Sequence, residues 1–153
     1  MIKFRKQSDS MDCGVACLAM IMSCFEKQPN VNQIEMLCSL DRSGVSLLGI
    51  SKAAENLGFK TVGGRLSFEM LSQEAPMPCI VHWNQNHFVV VYKIKKHRKG
   101  RYSVYVADPG KGLVTYTKEE FCEHWISTKT NGEEKGVVLL LEPTEQFYAQ
   151  KDA

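Results

Sequence analysis

Residues 14–25, Gly-Val-Ala-Cys-Leu-Ala-Met-Ile-Met-Ser-Cys-Phe, are apolar almost all the way round a helix. A surface helix needs a polar face, so a helix without one must be enclosed on every side. At 12 residues it is too short for a bilayer span, which takes roughly 20. The chain therefore has to build a protein body around it, and 153 residues suffice for one domain with a real core.

The rest of the first sixty residues also reads as helical. Residues 31–40 form a second, shorter helix, and residues 46–57 a third, with Ser46 able to cap its start and Gly58 its end. Leu47, Ile50, Ala54 and Leu57 keep helical spacing there. After Gly63-Gly64 the pattern changes. A short helix over 67–72 is followed by segments rich in Val, Ile and Tyr at 79–83, 88–94, 102–107, 113–116 and 137–141, bounded by turn residues. A late helix spans 118–125, with Thr117 as its cap. Helices first and strands second predict α+β, an antiparallel sheet packed on the helical half. From residue 142 periodicity is lost, and the tail reads as a linker.

A net charge of +2 gives no electrostatic footprint for nucleic acid. The basic N-terminus lacks the apolar region of a secretory signal. Six cysteines, at 13, 17, 24, 38, 79 and 122, lie within apolar stretches rather than loops. They read as small buried hydrophobes in a reducing compartment, which places the chain in the cytosol.

Cys13 differs from the others because it stands where the enclosed helix begins. The positive end of the helix dipole favours thiolate there, and Gly14 leaves room for a substrate backbone. Asp12, if ionised, opposes the dipole. Cys17 lies one turn on, along the same face, and reads as core packing.

Of the histidines at 82, 87, 97 and 124, His87 begins an apolar strand directly after a polar turn. Asp108 ends another strand, ahead of Pro109-Gly110, and the basic loop 95–101 lies between the two. If that loop is a hairpin tip, paired residues carry numbers summing to about 195, and His87 falls opposite Asp108. Cross-strand Cβ atoms are roughly 4.5–5.5 Å apart, close enough for a carboxylate to hold an imidazole. Taken singly, His87 reads equally as a strand-edge histidine and Asp108 as a turn former. Their juxtaposition favours a catalytic pair. His82 reads as a packing residue, His97 as exposed, and His124 as lacking an acidic partner.

The stretch Gln7-Ser-Asp-Ser-Met-Asp-Cys13-Gly-Val-Ala-Cys-Leu resembles the cysteine motif of the double-glycine leader peptidases, the N-terminal domains of bacteriocin-processing ABC transporters. Val81-His-Trp-Asn-Gln-Asn-His87-Phe resembles that family's histidine motif, and Ala107-Asp108-Pro109 its aspartate motif. Gly44-Val-Ser46 and the stretch around Leu57-Gly58-Phe59 also fit, so the resemblance spans residues 1–145.

The resemblance implies a papain-like peptidase domain over 1–145, with 146–153 leading towards a transmembrane domain. It implies Cys13 as nucleophile, His87 as general base and acid, Asp108 as orienter, and Gln7 as a side-chain donor in the oxyanion hole. It further implies cleavage after a Gly-Gly pair ending a leader, on the cytoplasmic side of a bacterial membrane. The partners would be a leader-containing precursor and the transmembrane and nucleotide-binding domains of an ABC transporter. No cofactor or metal is called for, and ATP would bind only a separate domain.

No G-x-x-x-x-G-K-[ST] loop occurs in the chain, so it reads as an excised domain or a standalone peptidase. The alternatives are a non-cleaving binding module, an acyltransferase with the same thioester chemistry, and a zinc protein. The last is disfavoured because no C-x-x-C pair is present. The basic tip Lys95, Lys96, Arg98, Lys99 and Arg101 reads as a solvated hairpin end, or as contact with acidic peptide, transporter surface or lipid head groups.

Overall fold

A computed structural model describes residues 2–6, 13–38, 46–84 and 86–149. The enclosed helix is α1 (Cys13–Cys24), in which every residue from Cys13 to Ser23 is buried. It is followed by α2 (Val31–Cys38) and α3 (Leu47–Asn56). Ser46 caps α3 as expected, its hydroxyl accepting from the Gly49 N–H at 3.1 Å. Such caps are typically worth ~1 kcal/mol.

The strands are β1 (Phe59–Leu66), β2 (Cys79–Trp83), β3 (His87–Lys96), β4 (Tyr102–Asp108), β5 (Gly112–Thr117), β6 (Ile126–Thr130) and β7 (Glu133–Pro143). They form one sheet in the order β1-β7-β2-β3-β4-β5, with β6 paired to β7. Every pairing is antiparallel. Two further helices, α4 (Phe68–Glu74) and α5 (Lys118–Trp125), complete the core elements. Thr117 and Glu120 close a capping box at the start of α5.

Alternation along the strands builds two cores rather than one. Ile80, Phe88, Val90, Leu139 and Leu141 face α1, α2 and α3. Cys79, Val81, Trp83, Val89, Val91 and Val138 face α4 and α5, where they meet Phe68, Leu71, Phe121 and Trp125. The sheet is thus covered on both faces, not only by the N-terminal helical half.

Two strands were not foreseen. β1 carries Gly63-Gly64, which reads as a break, yet it pairs with β7 along its whole length. β6, Ile-Ser-Thr-Lys-Thr, is too polar to signal a strand. The expected second helix extended to residue 40, but residues 39–45 lie outside the described set.

The expected linker begins with a packed element. Helix α6 (Glu145–Ala149) buries Phe147 completely. Its ring lies 4.6 Å from that of Phe59 and 6.0 Å from that of Phe25. Gly58, at φ 102°, brings its backbone so close to Phe147 that a Cβ there would clash. Two adjacent aromatics, Phe147 and Tyr148, in a polar tail give no periodicity, which is why the sequence does not mark this contact.

Candidate active site

Cys13 is the first residue of α1 and is 6% exposed. The first backbone N–H groups of a helix have no intrahelical acceptor, so polarised donors are available beside its sulfur. His87 is the first residue of β3 and pairs with Trp83 across a tight turn. That turn is fastened from outside. Asn84, at φ 51°, donates its backbone N–H to the His124 carbonyl at 2.8 Å. Its side-chain oxygen lies 2.8 Å from His124 Nδ1. The His124 ring stacks on Trp83 at 4.7 Å. Sequence reasoning set His124 aside for want of an acidic partner; its partner is an amide, which charge arguments do not find.

His87 Nε2 and Asp108 Oδ1 are 2.7 Å apart. The same carboxylate oxygen accepts the Gly110 N–H at 2.9 Å, so the turn after β4 fixes it from the other side. The contact was expected, but the register differs. The ladder runs Val90↔Ala107 and Val91↔Val106, with a bulge before Lys93↔Tyr105. Continuing it would set Asp108 opposite Val89, two residues from His87 and on the same face. A two-residue error preserves the face, whereas an error of one would reverse it. The diagonal distance between such neighbours remains within side-chain reach.

With Nε2 taken by Asp108, Nδ1 is the ring nitrogen left for Cys13, which also acts on the His87 charge. His87 is pushed up to about 9, first by its hydrogen bond to Asp108 and next by that to Cys13. Burial opposes the rise, and the charges of both partners reinforce it. For Asp108, burial is the largest effect and acts to raise its pKa. The bonds from His87 and Gly110, with the charges of His87 and Lys111, outweigh it and leave the carboxyl below its ordinary value. The resting arrangement is therefore an imidazolium held between a carboxylate and a sulfur. Such an arrangement can hold a proton for a leaving group beside a sulfur able to act as a nucleophile.

The remaining described thiols have a different character. Cys17 is fully buried and its Sγ donates to the Phe88 carbonyl at 3.4 Å. Burial, then the charges of Cys13 and Asp108, push it well above the ordinary thiol value. Burial likewise raises Cys24, and takes Cys79 to about 12 and Cys122 to about 11. His82 stacks on Phe88 at 5.0 Å, a packing role as expected. His97 is exposed and lies 2.7 Å from Ser103 Oγ. Gln7, the expected oxyanion donor, lies outside the described residues. Among the described residues no group of three or more His, Cys, Asp or Glu side chains gathers to hold a metal ion. No described helix is long and apolar enough to cross a membrane.

Comparison with known proteins gives this geometry a family. Residues 1–145 match the peptidase C39 family. The chain belongs to the peptidase C39 family, and it is a cysteine peptidase domain with that family's papain-like fold. Among C39 relatives, the lactococcin-G-processing and transport ATP-binding protein LagD of Lactococcus lactis is 32% identical over 152 residues. The match covers 96% of this chain and 20% of LagD. The colicin V secretion/processing ATP-binding protein CvaB of Escherichia coli is 32% identical over 145 residues, covering 94% of this chain and 18% of CvaB. The chain thus spans about a fifth of the length of these relatives. Among solved structures, a double glycine motif protease from an AMS/PCAT transporter, in complex with its leader peptide, superposes with a TM-score of 0.77 at 33% identity. It covers 94% of this chain and 93% of the other. The peptidase domain of Streptococcus ComA gives a TM-score of 0.71 at 25% identity, covering 94% and 100%.

Proposed function

We propose that this C39 domain removes the leader from bacteriocin-like or other exported peptide precursors by cutting after a Gly-Gly pair. It does so on the cytoplasmic side of the membrane, in concert with an ABC transporter. The observation that carries this reading is His87, bonded through Nε2 to Asp108 at 2.7 Å and raised in pKa by both Asp108 and Cys13, with Cys13 at the start of the buried helix α1. The likeness to a double glycine motif protease with its leader bound supports the substrate class.

In this mechanism the Cys13 thiolate attacks the carbonyl carbon of the leader's last glycine. The Gln7 side chain and a backbone N–H at the start of α1 receive the oxyanion; a donor of that kind is typically worth ~2.7–4 kcal/mol. As the tetrahedral intermediate collapses, His87 gives its Nδ1 proton to the leaving amine of the cargo, and a thioester to Cys13 remains. His87, now neutral, takes a proton from water, whose oxygen attacks the thioester. The leader carboxylate departs, and the thiolate–imidazolium pair is restored. Asp108 keeps Nε2–H engaged throughout, so the ring presents the same nitrogen in both half-reactions. A cleft narrow enough to admit only glycine before the scissile bond excludes every longer side chain.

The test is a synthetic leader–cargo peptide carrying Gly-Gly, with products identified by mass. The wild-type chain should release leader and cargo at that bond, and Cys13→Ala should bind the peptide without cutting it. Full turnover by Cys13→Ala would refute the assignment. Binding without turnover by the wild type would make the chain a substrate-holding module. Transfer of the leader to an added amine would make it an acyltransferase.

A further inference from the structure

The C39 sheet has two chemically different ends. His87 opens β3 at the catalytic end. At the other, β3 and β4 run on into a hairpin tip, 93–101, holding Lys93, Lys95, Lys96, Arg98, Lys99 and Arg101 and no Asp or Glu. All six side chains are exposed. These are six of the chain's 19 Lys and Arg, so the remainder carries 13 against 17 Asp and Glu. A near-neutral net charge thus conceals a basic pole on an acidic body.

The tip's charge is left largely unopposed. Lys93 lies over the Tyr105 ring at 5.4 Å. Among the described residues, none of the other five cations has a carboxylate within 4.0 Å, whereas Lys118, Lys129 and Lys135 all do. Glu119 shares a shallow cleft with Arg98 and Arg101 without bonding either. The tip also runs past the start of β2. Cys79 begins β2 opposite Val91, so β3 continues five residues past the start of β2, or ~16 Å at 3.3 Å per residue.

The same register says what else lies at this end. Cys79 pairs with Val91 on one side and Leu140 on the other, so β3 and β7 run in the same direction, and β7 ends two residues short of β3. Helix α6 follows β7 there, and Lys27 sits over its Phe147 ring at 5.5 Å. Lys3 donates its backbone N–H to Ser23 near the end of α1, at 3.0 Å. Glu26, Glu142 and Glu145 belong to the helix ends and β7, and Glu69 and Glu119 stand on α4 and α5 beside the base of the tip; none lies on the tip itself.

We propose that the tip rests on anionic phospholipid head groups, holding the Cys13–His87–Asp108 cleft at the end of the sheet away from the lipid. This rests on the reading that the domain works beside a transporter's membrane. Lipid fits the surface better than an acidic protein does. A protein interface needs buried apolar or aromatic anchors, and Ile94 and Tyr102, the tip's large apolar residues, pack inward against the second core. Head groups require only unpaired cations on a projecting end, each strengthening binding by roughly fivefold at an anionic leaflet.

Co-sedimentation with vesicles tests this. The wild-type chain should sediment with phosphatidylcholine vesicles containing phosphatidylglycerol, not with phosphatidylcholine alone, and added salt should release it. The combined Lys95→Gln, Lys96→Gln, Arg98→Gln and Lys99→Gln variant should lose vesicle binding by more than about a hundredfold, while cutting a leader peptide in solution at the wild-type rate. Lys129→Gln with Lys135→Gln, two cations already paired with glutamates, should bind vesicles as wild type does. No sedimentation of wild type at low salt, or equal sedimentation of the tip variant, would overturn the proposal. Either result would leave the peptidase reading intact, since Cys13→Ala should bind vesicles normally.

Discussion

Replacing Asp108 by Asn probes the bond that does most to hold the proton on His87. The amide retains an oxygen that can accept from Nε2–H, and a Cys-His-Asn constellation is chemically competent, so the ring should stay in place. What is lost is the charge of the acceptor: the hydrogen bond to the carboxylate is the largest of the effects that lift His87 to about 9, and the Asp108 charge adds to it. At about pH 8 a histidine titrating at 9 is about nine-tenths protonated, whereas one returned to 6.5 is about 3% protonated, a thirtyfold difference. At about pH 6 the two differ by less than about 1.5-fold. Because the effect of Cys13 on His87 remains, thirtyfold is a ceiling. The deficit of the variant in kcat/KM should therefore grow by about three- to thirtyfold between pH 6 and pH 8. The basic limb of its profile should move down from about 9. The assay is a pH series on a quenched-fluorescence leader peptide. A deficit that does not vary with pH, or an unmoved basic limb, would show that Asp108 is not what keeps His87 protonated.

Folding stability should carry the same signature. His87 titrates higher in the folded chain than in the unfolded one, so its contribution is complete below about 6.5 and lost as pH rises through about 9. Asp108 is lowered, so its contribution is present above the unfolded carboxylate value and lost as pH falls through the folded one. The wild-type excess in Tm over His87→Ala should therefore shrink as pH is raised across the first window; an excess constant with pH would refute the linkage. Phe147→Ala removes a ring enclosed by Phe25, Phe59 and Gly58 and should cost ~3–5 kcal/mol in urea unfolding; a loss under about 1 kcal/mol would return the tail to a linker. Gly136→Ala places a methyl group inside the Trp125 ring and should lower stability by ~1–3 kcal/mol; an unchanged midpoint would show that the ring can yield.

What the sequence made legible was what repeats. The all-round apolar run foretold α1, hydrophobic alternation foretold the central strands, and cap residues fixed the starts of α3 and α5. Strands whose residues are small or polar, β1 with Gly63-Gly64 and the polar β6, hold their place by pairing with β7, and pairing leaves no local pattern. The His87–Asp108 contact was legible because the expected pairing sum of about 195 misses the 197 found beside the site by two, which keeps the face; the tip itself pairs at 198, and the bulge between Val91 and Lys93 restores the parity. The clamp of His124 on Asn84 joins residues 40 apart through an amide, and neither hydropathy nor charge marks such a pair. Phe147 closes over Gly58 by shape alone.

The central claim is that Cys13 is the sulfur that attacks the carbonyl after Gly-Gly. A leader peptide ending in a Gly-Gly chloromethyl ketone, followed by intact-mass measurement and peptide mapping, tests it directly. One adduct should form, on Cys13, and its formation should slow sharply in His87→Ala. Among the described residues, Cys24 and Cys122 are the partly exposed thiols, and burial raises the pKa of both, favouring the less reactive protonated form. Labelling of either in preference to Cys13, or labelling of Cys13 at the same rate without His87, would contradict the proposed site.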